Sequence, residues 1–288
     1  MIARHFSLSS MITGNTELIA HIGYPTHSFK APMIYNPYFE SIGLNACVVP
    51  MGCRPQHFAA FLSAVFALTN IRGALITMPH KVAVVDLVDR ITPTVAVAGS
   101  CNAVRIGSDG ALEGDMFDGE GFVRGVMRKG IAVAGTSVLV VGAGGVGSAI
   151  AASFAAAGAA RIAIFDVSTA SMDGLAARLQ QHYPALIVET ASNDPEGFDI
   201  VLNATPMGMA TGDPLPMDVA RIAPETFVGE VVMRAETTAF LAAAQARGCR
   251  VQVGTDMLFE QIPAYLEFFG YPTTTAEQLR QLAKISYA

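Results

Sequence analysis

Lys81 ends the segment Met78-Pro79-His80-Lys81, directly behind an apolar run, and Asp118 lies in the Gly-rich segment GDMFDGEGF. An amine and a carboxylate held together can relay the proton of an alcohol while hydride leaves its carbon. Spacing alone does not pair them, because an exposed lysine and a helix-capping aspartate account for the same letters. His80 beside Lys81 has the right type for a general base, but a solvent-facing histidine at a helix start is the expectation there.

A second chemistry-bearing segment is VLVVGAGGVGSAI. Gly142, Gly144 and Gly147 fit G-x-G-x-x-G after a strand and at the opening of a helix. The first glycine permits the tight turn, the second lets a pyrophosphate approach the backbone, and the third lets helix and strand pack closely. Gly142, Ala143, Gly144, Gly145, Val146 and Gly147 are therefore expected to cradle a dinucleotide on the N–H groups of the helix start. Asp166 ends the next strand about twenty residues on, where the ribose-binding acid of such a fold belongs. A carboxylate there repels a 2′-phosphate, and Val167 to Ser171 contain no Arg or Lys, so NAD is expected over NADP. The competing reading makes Asp166 the cap of the following helix, a place Ser168 can also fill.

These residues need a scaffold of alternating strands and helices. Leu18–Ile22, Ala46–Pro50 and Gly73–Thr77 read as buried strands, the last running into Lys81. A helix starts at Pro32 and ends near Gly43, with Pro37 expected to kink it or to mark a late start. Phe58, Phe61, Leu62, Val65 and Leu68 share one helical face, and Val82–Val88 is expected to be helical. Ala103–Ile106 is a strand followed by the turn signal Asp109-Gly110. Beyond Ser137, strands at Val138–Val141, Arg161–Phe165, Ile187–Val188, Asp199–Leu202 and Phe227–Val231 alternate with helical stretches, the signature of a parallel sheet. The fold class is α/β: an N-terminal α/β substrate-binding domain over residues 1–118, then a Rossmann-type dinucleotide-binding domain over 119–254. Residues 255–288 hold two helical patterns expected to return to the first domain.

Composition narrows the function. The chain has 288 residues, 52% hydrophobic and 15% charged, with a net charge of -6. No basic run is present, so nucleic acid is not an expected partner. Between Gly130 and Ala160 no residue is charged, which mimics a membrane span, but the glycines and a strand–turn–helix unit in a parallel sheet explain it. The first twenty residues hold no continuous apolar run, so no signal peptide is expected. The four cysteines, Cys47, Cys53, Cys101 and Cys249, form no C-x-x-C pair or zinc spacing. They read as core residues of a cytoplasmic, metal-free protein, monomer or homodimer.

Several segments, taken together and in order, resemble the shikimate/quinate dehydrogenase family. HSFKAPMIYNPYFESIGLN is similar to its substrate-binding stretch, GALITMPHK to its catalytic-lysine segment and AGSCNAV to its Gly-Ala-x-Asn-Thr segment. GDMFDGEGF is similar to its Asn-Thr-Asp-Gly segment, LNATPMGM to its nucleotide-site loop and GTDMLFEQ to its late Met-Leu-x-x-Gln helix. The resemblance implies that Lys81 and Asp118 are the catalytic pair, with Lys81 the proton carrier. It implies that Ser28, Thr77, Asn102 and Gln261 bind a cyclic hydroxy acid such as shikimate or quinate. Asn203, Ala204, Thr205, Met207, Gly254 and Met257 would line the nicotinamide side. The implied fold is a discontinuous substrate domain and a Rossmann domain with the active site in the cleft.

Departures from the family pattern lie around the substrate. Leu75 stands where the family has Asn, Ala103 where it has Thr, Met116-Phe117 where it has Asn-Thr, and Met233 where it has Tyr. Losing such groups points to a less hydroxylated substrate than shikimate, since a site built for hydroxyls suffers when a partner is removed. Lys30, in a loop one residue longer than the family's, is a candidate partner for a substrate carboxylate or else a solvated surface lysine. Three functions follow: a shikimate or quinate dehydrogenase, a family dehydrogenase for a different cyclic acid, or a silent NAD-binding sensor.

Overall fold

The computed structural model describes residues 12–190, 192–210 and 212–286; the N-terminal segment read for a signal peptide falls outside them up to residue 11. Among the described residues there are two six-stranded sheets. The first is built from β1 (Glu17–Gly23), β2 (Ala46–Gly52), β3 (Ile71–Ile76), β4 (Arg90–Ile91), β5 (Ala103–Ile106) and β6 (Leu112–Asp115). Its order is β2-β1-β3-β5-β6-β4, with β1 parallel to β2 and β3 and antiparallel pairings at β3–β5 and β5–β6. α1 (Pro32–Ser41), α2 (Phe58–Phe66) and α3 (Pro93–Ala98) connect these strands.

α4 (Asp118–Arg128) leads into the second sheet, made of β7 (Ser137–Val141), β8 (Arg161–Phe165), β9 (Ile187–Thr190), β10 (Ile200–Asn203), β11 (Phe227–Glu230) and β12 (Val251–Gln252). All its pairings are parallel, and its order is β12-β11-β10-β7-β8-β9. Numbered within this sheet, that is the doubly wound 3-2-1-4-5-6 order, whose switch point lies between the first strand, β7, and the fourth, β10. α5 (Gly145–Ala156), α6 (Thr169–His182) and α7 (Ala239–Ala246) serve this half; α8 (Gly254–Phe269) and α9 (Ala276–Leu282) follow. The uncharged stretch is β7, its turn and α5, and among the described residues no helix is long and apolar enough to cross a membrane.

α8 and α9 pack against elements of the first sheet. Ile262, Tyr265, Leu266, Phe269 and Leu279 share one core with Ile19, Tyr35, Phe39 and Leu75. The last described residues also fasten to α1. Pro37 lies inside α1, which starts at Pro32 and runs on to Ser41. Having no N–H, Pro37 leaves the carbonyl four residues back without its helical donor. That carbonyl, Met33 O, accepts instead from Lys284 N at 2.9 Å.

Other expectations shift in detail. Residues 83–87 form a 3-10 helix within the stretch expected to be α-helical. α2 stops at Phe66, so Leu68 is exposed outside the helical face. β4, β6, β12 and α3 were not anticipated; each is short, and β6 completes a hairpin around the Asp109-Gly110 turn.

Candidate active site

Lys81 and Asp118 meet. Lys81 Nζ donates to Asp118 Oδ2, and their side chains are 13% and 4% exposed. Lys81 stands beyond the C-terminal end of β3, while Asp118 opens α4. Residues 101–102 hold both. Cys101 N donates to Lys81 O at 2.7 Å, and Asn102 Oδ1 accepts from Phe117 N at 3.0 Å, immediately before Asp118. A side chain on Gly119 would collide with the Ala149 carbonyl of α5, so the glycine lets the start of α4 press against the second half of the molecule.

The pair lies in the wall of a cavity of about 300 Å³ between the two sheets. Ser28, Lys30, Thr77 and Gln261 line it from the first sheet's side, and Val146, Ala204, Thr205 and Met257 from the second's. Most sequence-assigned substrate residues therefore converge. Asn102 is an exception: it is fully buried, it is not among the lining residues, and its side chain braces the start of α4. Asn203 is buried as well and organises its loop. Its Oδ1 accepts from Thr205 N and Oγ1 at 3.0 and 2.6 Å, and its Nδ2 donates to Met207 O at 3.0 Å. Met209, not Met207, reaches the cavity.

The glycine loop has the form a dinucleotide requires. Gly142 has φ +110°, a conformation side chains avoid, and a Cβ at Gly147 would strike the Gly142 carbonyl. Space beside Gly144 is open, with no atom within 4 Å of an added Cβ, which leaves room for a phosphate against the backbone. Asp166 follows β8; its carboxylate accepts from Ala143 N at 2.6 Å and Ser168 N at 2.8 Å. Ser168, not Asp166, caps α6, accepting from Ser171 N.

Two basic residues are placed differently from expectation. His80 is buried, 1% exposed, with its ring stacked on Phe58 at 4.0 Å and Nε2 donating to Cys53 O at 2.8 Å. Its ring and Nε2 are taken up by these contacts and it does not face solvent; burial lowers its pKa. Lys30 is 6% exposed, not solvated: Nζ donates to Ser286 O at 2.5 Å, and burial lowers its pKa.

Comparison with known proteins bears on the same residues. Residues 21–104 match the profile of the shikimate dehydrogenase substrate binding domain. An NADP(+) shikimate dehydrogenase of Rubrobacter xylanophilus is 35% identical, the match covering 87% of this chain and 89% of the relative. The chain belongs to the shikimate dehydrogenase family. Among solved structures, shikimate 5-dehydrogenase of Listeria monocytogenes, in complex with shikimate and NAD, superposes with a TM-score of 0.84 at 25% identity, over 94% of this chain and 97% of that one. Quinate dehydrogenase of Corynebacterium glutamicum, in complex with NAD, does so with a TM-score of 0.82 at 28% identity, over 93% and 98%.

Within this shikimate dehydrogenase family member, the departures at Leu75 and Met233 do face the cavity. The wall is nonetheless less apolar than those substitutions alone suggest. His21, Tyr35, Arg234 and Tyr265 also line it, and none was singled out in the sequence. His21 carried a readable signal: a histidine in the apolar strand LIAHIG, two residues from core Ile19 and hence on the same face. Burial, then the charge of Lys81, lowers its pKa to about 3. Its ring stacks on Phe29 at 4.1 Å.

Proposed function

We propose that this protein is an NAD-dependent dehydrogenase transferring hydride between a ring hydroxyl of shikimate, quinate or a related cyclic hydroxy acid and NAD. The observation that carries this is the Lys81–Asp118 contact in the wall of a cavity that the dinucleotide side also lines. The nicotinamide of bound NAD supplies the hydride acceptor. Lys81, the more open member of the pair, takes the hydroxyl proton as a neutral amine during oxidation and returns it to the carbonyl oxygen as the ammonium during reduction, while Asp118 fixes its position. The assembled pair favours turnover over a silent sensor, which has no use for a proton relay.

The glycine loop and the start of α5 bind the pyrophosphate. Asp166 receives the ribose hydroxyls, and its charge, with no Arg or Lys from Val167 to Ser171, supports NAD over NADP. Ser28, Thr77 and Gln261 bind substrate oxygens, and Lys30 the carboxylate. Residues 1–118 with 255–288 serve as the substrate domain and 119–254 as the dinucleotide domain. The four cysteines are free thiols, which fits a reducing cytoplasm.

Leu75 and Met233 in the cavity wall favour a second reading, in which the preferred acid is not shikimate itself. The test is NADH formation by purified protein with shikimate, quinate and cyclic acids lacking single hydroxyls, with NADP in parallel. Turnover with shikimate or quinate supports the first reading. Turnover only with other acids supports the second, and none with any acid and either cofactor overturns both.

A further inference from the structure

Among the described residues, three of the cavity wall carry a buried side-chain atom without a hydrogen-bond partner: His21 Nδ1, the Tyr35 hydroxyl and Gln261 Oε1. Orphaned polar atoms are few in folded proteins, and each calls for a partner. Gln261 is among the substrate residues that the family resemblance implies; His21 and Tyr35 are not.

Strand register makes His21 the informative one. β1 pairs with β3 in parallel so that His21 lies opposite Leu75. Paired residues of neighbouring strands point to the same face, about 4.8 Å apart. Leu75 stands where the family pattern has an amide, so the hydrogen-bonding group missing there is matched by one a single strand over. Phe29 fixes the plane of the imidazole by stacking. A half-turn about the Cβ–Cγ bond keeps the ring in that plane and carries Nδ1 to its opposite edge, and no bond to Nδ1 among the described residues opposes it.

We propose that His21, with Tyr35 as its companion, is the specificity-determining residue of this site and binds an uncharged hydroxyl of the substrate on the β1 side of Leu75. The site is then hydroxyl-binding, with the hydroxyl in a different place from where the family amide would hold it. Burial and the Lys81 charge keep the ring neutral, with its pKa lowered to about 3. A neutral imidazole offers one donor and one acceptor, the complement of a hydroxyl. The inference rests on the dehydrogenase reading above.

The experiment compares kcat/KM for a cyclic acid and for its analogues lacking one ring hydroxyl at a time, in the native protein, His21→Leu and His21→Gln. In the native protein, one analogue is expected to lose about 10- to 100-fold, the worth of one buried hydrogen bond. His21→Leu is expected to collapse that ratio to near unity, and His21→Gln, which keeps a donor and an acceptor, to retain part of it. An unchanged ratio in His21→Leu, or an equal loss across all members, overturns the assignment of His21 while the dehydrogenase reading stands. If His21→Leu does not fold, judged by NADH binding, a native-like ratio in His21→Phe, or a ratio in His21→Gln near unity, overturns it. Native protein that oxidises no member with either cofactor overturns the dehydrogenase reading, and the inference with it.

Discussion

Lys81 and Asp118, 37 positions apart in the chain, form an ion pair in the wall of the cavity between the two sheets. A buried pair is costly to break, about 3–5 kcal/mol when one partner is removed, because the other charge is then left uncompensated. Its retention in a solvent-poor place is understandable if it works on a bound molecule.

Lys81→Ala is expected to lower kcat about 10²- to 10⁴-fold, the usual worth of a positioned proton carrier. NADH binding, read by fluorescence titration, is expected to persist, since the glycine loop is untouched. Normal turnover in this variant removes the proton-relay role.

Asp166→Ser is expected to shift the ratio of kcat/KM with NAD to kcat/KM with NADP toward NADP by about tenfold or more. The carboxylate that would repel a 2′-phosphate is gone in that variant. Loss of its bonds to Ala143 N and Ser168 N is expected to weaken both cofactors alike and so to cancel in the ratio. A ratio that does not move shows that Asp166 does not choose the cofactor.

Lys30→Met keeps much of the buried stem and removes the ammonium. KM for a carboxylate-bearing substrate is expected to rise about 5- to 50-fold with kcat little changed, the pattern of lost uniform binding. The Ser286 carbonyl loses its Lys30 donor in the same variant, so the melting temperature is the control. An unchanged KM sinks the carboxylate role and leaves Lys30 as a fastener of the C-terminal segment.

Acid is expected to destabilise the fold partly through His21, whose pKa falls from 6.5 to about 3 on folding. Stability due to the neutral ring is complete above pH 6.5 and is lost as pH falls toward about 3, because the unfolded chain takes up a proton that the native state refuses. Each pH unit in that window costs about 1.4 kcal/mol at most. Urea unfolding at pH 7 and near pH 4.5 is expected to show native stability falling about 2 kcal/mol more than that of His21→Phe. Parallel declines mean that His21 is charged in the folded state.

Local patterns settled much of this protein in advance. The glycine loop, its strand and its helix were legible because each depends on contiguous residues: Gly142 on its own φ, Gly147 on the carbonyl five residues back, Asp166 on the end of the next strand. Alternating strands and helices announced the parallel sheet, since buried strands carry continuous apolar runs. The segments missed, such as β4, β12 and α3, are too short for periodicity to register.

Tertiary structure decided what depends on residues far apart. No local pattern pairs Lys81 with Asp118; the hydrogen bonds of residues 101–102 do. Lys30 reads as a surface lysine until a carbonyl 256 positions away covers it. His80 turned out to be core because Phe58 and Cys53 receive it, and His21 became a cavity residue because β1 lies in register beside β3. Burial of a polar side chain is set by what packs over it, and those neighbours come from other elements, so residue type alone could not reveal it.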